Sequence, residues 1–122
     1  ERAKKQFHLS YMFISHNINL VRAISDRIAV MYLGELVEVG KTEEVFENPK
    51  HPYTKALFRS VPNPDPDHEL KEPLKGDVPS PVNPPKGCNF HPRCEEKIGK
   101  KCEEKDPKLK KINNRELACH LF

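Results

Sequence analysis

Eight of the chain's 12 prolines fall between positions 62 and 85. A proline has no N–H to give to a helix or sheet ladder, and its ring fixes φ. That stretch is therefore expected to be an extended connector. It separates an apolar front part, residues 7–61, from residues 86–122, which have few apolar side chains and hold all four cysteines. With only 36% apolar residues in the whole chain, the tail cannot order itself around a hydrophobic core and needs something else to hold it. The front part is expected to draw its stability from its own apolar packing, largely independent of the thiols.

Within the front part the elements follow from spacing. Residues 9–15 (LSYMFIS) form a nearly unbroken apolar run, the pattern of a strand buried on both faces in a parallel sheet. Asn17 suits the N-cap of a helix on which Ile18, Val21 and Ile24 recur at helical intervals. RIAVMY (27–32) and ELVEV (35–39) read as two strands joined by a tight turn at Leu33-Gly34. Thr42 can cap a short helix with Glu43 and Glu44 in its first turn, and Pro52 suits the first turn of another, with Tyr53, Leu57 and Val61 along one face.

Charge and length exclude several classes. A net charge of +3 is too small to argue for nucleic acid. No run approaches the ~18 apolar residues of a membrane span, and no secretory signal pattern is present. The chain opens on ERAKKQ without a methionine, and it is expected to be an excised piece of a larger cytoplasmic protein.

The run FISHNINLVRAISDRIAVMYLGELVEVG resembles the end of the nucleotide-binding domain of ABC transporter ATPases. The matching positions are Ser15-His16, Asp26-Arg27, Gly34 and Gly40. The continuation NPKHPYT, then PSPVNPPKGCNFHPRC, resembles the C-terminal extension of the oligopeptide and dipeptide (peptide/nickel) importer ATPases. The resemblance covers nearly the whole chain. It departs from the family at Asn17, where Asp is usual. The chain also contains no GxxxxGK(S/T) phosphate loop, no signature segment and no acidic pair after an apolar strand.

The resemblance implies an α/β fold: the C-terminal portion of an ABC ATPase domain over residues 1–61, a Pro-rich linker over 62–85, and a small irregular four-cysteine region over 86–122. It further implies that His16 is the switch histidine that reaches the γ-phosphate of ATP and helps hold the attacking water in register. A histidine just past the carboxyl end of a buried strand is well placed for that, because ligands bind at that edge of an open α/β sheet. Taken alone, a lone histidine at a helix start is more often a local hydrogen-bonding group. His51 is read as structural, capping or buttressing the Pro52 helix, Ser15 as backbone support, and the Lys100-Lys101 and 108–111 charge runs as solvated surface.

Cys88, Cys94, Cys102 and Cys119 follow the spacing C-x5-C-x7-C-x16-C. This matches neither the C-x2-C pairs of zinc ribbons nor the ferredoxin run. A shared metal site is favoured because a metal would supply the folding energy the tail lacks. A reducing compartment disfavours disulfides, and Lys86, Arg93, Lys97, Lys100 and Lys101 stand near the first three thiols in sequence. Thiolates suit zinc and iron–sulfur alike. The family resemblance points to a 4Fe–4S cluster on these four cysteines, with zinc, disulfides or free thiols as the alternatives; His91 and His120 flank the cysteines without being needed as ligands.

The function implied is that of the C-terminal piece of an ATP-binding subunit that powers oligopeptide or dipeptide import, using ATP and Mg in the complete subunit. Its partners would be a second ATP-binding subunit and transmembrane permease subunits, with no nucleic acid and with membrane contact only through those partners. It would sit in the cytoplasm, peripheral on the inner face of the membrane. The alternative is an independent cysteine-metal interaction module without ATPase function. Which peptide, or nickel, is carried is not written in the chain.

Overall fold

The computed structural model describes residues 6–62 and 74–122. Helix α1 (Ile18–Ile24) is followed by β1 (Arg27–Tyr32), β2 (Glu35–Lys41), α2 (Thr42–Glu47) and α3 (Pro52–Arg59). The tail adds a single 3-10 turn (His91–Arg93), α4 (Lys100–Glu104), β3 (Lys110–Ile112) and β4 (Arg115–Leu117). Residues 74–85 hold no helix or strand, as their prolines require, while 63–73 of the expected connector lie outside the described residues.

The four strands make one antiparallel sheet in the order β1-β2-β4-β3. In β1 the alternation is plain: Ile28, Val30 and Tyr32 face inward and Arg27, Ala29 and Met31 outward. A register shift at Val30/Met31 bends the hairpin, and its turn uses Leu33 and Gly34 at φ +47° and +78°. Both positive values are what a tight hairpin turn demands. The core gathers Ile28, Val30, Tyr32, Val37 and Val45 with Phe90 of the tail. Phe46 of α2 stacks on Phe58 of α3 at 4.3 Å, and Arg22 of α1 lies over the Phe46 ring.

Three expectations change. The tail is not held apart from the front: β4 pairs with β2, placing Leu117 opposite Glu38, and Phe90 and Leu117 are almost fully buried. The two parts share a core, because each alone has too little apolar surface to close one. Residues 9–15 form no strand. They are irregular and exposed, with Met12 and Ile14 about nine-tenths accessible, because among the described residues no neighbouring strand offers hydrogen bonds to them. Thr42 is the first helical residue rather than the cap, and its hydroxyl donates instead to the Ser25 carbonyl at 2.7 Å. By contrast, Asn17 caps α1 through the Leu20 N–H, and Ser15 Oγ accepts from the Asn17 N–H.

Candidate functional site

The tail reaches its place through a buried carboxylate. Glu38 sits in the middle of β2 with no exposed surface. It accepts from the backbone N–H groups of Lys50 (3.1 Å) and His51 (2.9 Å) and from Arg115 Nη1 of β4 (2.9 Å). Arg115 in turn donates to the carbonyls of Asn48 and Glu44, closing the end of α2. An ionised carboxylate inside a protein demands such a full set of partners. The Asn48–His51 turn, β2 and β4 are therefore tied at one point. Gly40 makes room for this packing: a Cβ there would stand 2.9 Å from Val45 Cγ2 and 3.2 Å from Arg115 Cβ.

His51, 1% exposed, works from the other side of the turn. Its Nδ1 accepts the Tyr53 N–H and caps α3, as the sequence suggested. Burial lowers its pKa to about 4, against the raising effects of Glu38 and of the Ala118 backbone. The Tyr53 ring leans on Tyr32 and Phe90, at 4.7 and 5.4 Å between centroids, so the His-Pro-Tyr segment bridges the sheet and the cysteine tail.

The four cysteines belong to the tail that this bridge holds, and they influence one another electrostatically. The Cys88 N–H donates to the Cys102 carbonyl at 2.9 Å. This close approach requires Gly87, whose φ is +71° and whose absent Cβ would lie 2.5 Å from the Cys102 oxygen. Burial pushes the Cys88 thiol up, Cys94 to about 11, and Cys119 up as well. Neighbouring thiols add to this: Cys119 and Cys102 act on Cys88, those two and Cys88 act on Cys94, and Cys102 acts on Cys119. All four thus share one electrostatic neighbourhood. Backbone N–H groups oppose the shift at three sulfurs, each from two residues onward: Phe90 to Cys88, Glu96 to Cys94 and Leu121 to Cys119. Such N–H···S contacts favour the thiolate and are how protein backbones tune metal-bound sulfur.

None of the four cysteines is disulfide-bonded. Among the described residues no group of three or more His, Cys, Asp and Glu side chains is arranged to hold a single metal ion. Of the expected cationic neighbours, Lys97 lies near Cys94 and Cys102, though its chief partner is Glu103 at 2.7 Å. His91 Nδ1 meets the Cys88 carbonyl and His120 Nε2 the Lys105 carbonyl, so both flanking histidines are engaged with backbone. His16 stands far from these contacts in character: it is exposed, at the bend before α1, and forms no hydrogen bond or ion pair with a described residue.

The family model for the oligopeptide/dipeptide transporter C-terminal region matches residues 37–102, more than half of the chain. The chain belongs to that family. Over its whole length it is 47% identical to the putative oligopeptide transport ATP-binding protein YkfD of Bacillus subtilis, covering 38% of that relative. It is 44% identical to the dipeptide transport ATP-binding protein DppF of Escherichia coli over 95% of the chain and 35% of the relative. To the oligopeptide transport ATP-binding protein OppF of Salmonella typhimurium it is likewise 44% identical, over 98% of the chain and 36% of the relative. The chain thus spans little more than a third of the curated relatives it matches. The stretch matched by the family model takes in Glu38, the His51-Pro52-Tyr53 turn and three of the four cysteines. Glu38, Gly87 and Phe90 were not singled out from sequence; a lone acid between Val37 and Val39 in a strand was the one hint of a buried carboxylate.

Proposed function

We propose that the chain is the C-terminal part of the ATP-binding subunit of an ABC importer for oligopeptides or dipeptides. The observation that carries this is 47% identity along the whole chain to the putative oligopeptide transport ATP-binding protein YkfD. Residues 1–61 would be the end of the ATPase domain, 62–85 the linker and 86–122 the four-cysteine region, a division of role laid over one shared sheet. The exposed apolar residues of 9–15 are what a strand lifted out of a larger parallel sheet would present. In the complete subunit the phosphate loop and Mg would come from elsewhere. No helix among the described residues is long and apolar enough to cross a membrane, which fits a subunit docked on the cytoplasmic face through permease partners and paired with a second ATP-binding subunit.

Within that subunit His16 would donate a hydrogen bond to the γ-phosphate, stabilising charge that grows in the transition state. Its exposure at the bend before α1 leaves the imidazole free for this. His16→Ala in the assembled transporter should abolish most turnover while leaving nucleotide affinity nearly intact. Turnover within about twofold of wild type, a change under ~0.5 kcal/mol, would refute the role.

The four cysteines would hold one metal centre, a 4Fe–4S cluster in preference to zinc. Support comes from the chemistry of the donor set: all four thiols are free, neighbouring thiols add to the upward shift at Cys88, Cys94 and Cys119, and those same three receive N–H groups that favour the thiolate. Four neighbouring thiolates, two of them buried and two half-buried, need a compensating cation, so loading would release protons and stabilise the tail. Bound there, the group would supply folding energy and crosslink the 3-10 turn, α4 and the chain end.

A further inference from the structure

His51 has one nitrogen that the helix cap does not explain. Nδ1 accepts the Tyr53 N–H, so in the neutral ring the proton sits on Nε2, which becomes a donor. That nitrogen is buried and makes no well-formed hydrogen bond. A buried donor left unmatched costs free energy comparable to a lost hydrogen bond. Its polar neighbour is the Ala118 backbone. The Ala118 N–H is already given to the Val37 carbonyl at 3.0 Å, so the Ala118 carbonyl is the group left to face the imidazole. His51 and Ala118 both line one cavity of about 10 Å³, lined also by Cys88 and Phe90, close to the lower limit for one water.

We infer that His51 is a positioning residue of the cysteine site, its imidazole spanning from the N-terminus of α3 to the backbone that delivers Cys119. The Nε2–H reaches the Ala118 carbonyl through one water in the cavity. Ala118 immediately precedes Cys119, and Cys88 lines the same cavity. One side chain thus ties the two cysteines at the ends of the tail to the His-Pro-Tyr turn. This rests on the reading of the four thiols as one site.

Two variants separate the two ends of the ring. The Asn oxygen of His51→Asn keeps a good N-cap acceptor for Tyr53 but is too short to reach Ala118. The amide of His51→Gln extends to Ala118 but gives up the cap. The full chain is made metal-free and its Cys119 alkylation rate followed by mass spectrometry; metal retention is then measured after anaerobic reconstitution. His51→Asn is expected to speed Cys119 alkylation on the order of tenfold, as one buried hydrogen bond is worth, and to lose metal faster. His51→Gln is expected to return both towards wild type despite a weaker α3. Equal behaviour of the two variants, or wild-type protection in His51→Asn, overturns the inference. Should both fail to fold, the wild type decides by NMR: an Nε2 proton that shows a nuclear Overhauser contact to Ala118 or Cys119 supports it, and an Nε2 proton without one, or a proton on Nδ1, refutes it. A wild type that takes up no metal, while the two variants still differ in alkylation, removes the metal reading and leaves the positioning role standing.

Discussion

Glu38 and Arg115, 77 residues apart in the chain, meet in a 2.9 Å ion pair that is closed to solvent on the Glu38 side. The pair is more than a contact between two strands. Through Glu38 it satisfies the N–H groups of Lys50 and His51, and through Arg115 it satisfies two carbonyls at the end of α2. Removing one member leaves the other charge buried without its counter-ion, which costs more than the pair contributes when intact.

Arg115→Met should therefore destabilise the chain by about 3–5 kcal/mol, read from urea denaturation. Glu38→Gln should cost less, since an amide oxygen can still accept from Lys50 and His51. If Arg115→Met shifts stability by under ~1 kcal/mol, the pair behaves as a surface salt bridge and its organising role is wrong.

Acid should weaken the fold through His51. Its pKa falls from 6.5 to about 4 on folding, so between those values the unfolded chain binds the extra proton. Stability is then complete above about pH 6.5 and declines as pH falls towards 4, by at most about 3 kcal/mol. Denaturation midpoints collected from pH 7 to 4 should show this decline in wild type and a flatter profile in His51→Gln. Parallel profiles would show that other groups carry the acid sensitivity.

Gly87→Ala should be among the most damaging single-methyl additions. A Cβ 2.5 Å from the Cys102 oxygen cannot be accommodated without moving backbone, and a φ of +71° already disfavours any L side chain. The Cys88–Cys102 contact should open, seen as rapid exchange of the Cys88 amide and faster alkylation of both thiols. Unchanged exchange at Cys88 would mean that the turn relaxes freely.

The 122-residue chain alone is expected to show no micromolar affinity for Mg-ATP in titration calorimetry. No phosphate-cradling loop occurs in its sequence, and one imidazole cannot replace a set of converging backbone N–H groups. Saturable micromolar binding would contradict the part assigned to this segment.

Much of this fold was legible because local rules decided it. The caps at Asn17 and His51, the Leu33-Gly34 turn and the inward alternation of β1 all follow from neighbouring residues. What escaped depends on distant partners. Nothing near Glu38 announces that Arg115 will reach it, and Phe90 reads as one more residue of a polar tail until the cavity between Tyr32 and Tyr53 receives it. The apolar run at 9–15 misleads in the other direction: its composition is that of a buried strand, yet burial needs a neighbour that the described residues do not include. For the site, the spacing of the four cysteines matched no familiar metal motif and the family resemblance carried the proposal, whereas the N–H groups aimed at three of their sulfurs come from turns that spacing does not encode.

The central claim is that Cys88, Cys94, Cys102 and Cys119 form one metal centre joining the tail to the sheet, and anaerobic reconstitution with iron and sulfide, followed by metal and sulfide analysis, tests it most directly. The expected result is a coloured protein with iron and sulfide in equal amounts and broad visible absorption, bleached by a Cys→Ser change at any of the four. Because Phe90 and Leu117 belong to the shared core, loss of the centre should also lower the unfolding midpoint of the front strands. Stoichiometric zinc without iron after anaerobic purification would replace the cluster with a zinc site. Four thiols that react freely in a folded, metal-free chain, indifferent to iron, sulfide and zinc, would contradict the shared centre itself.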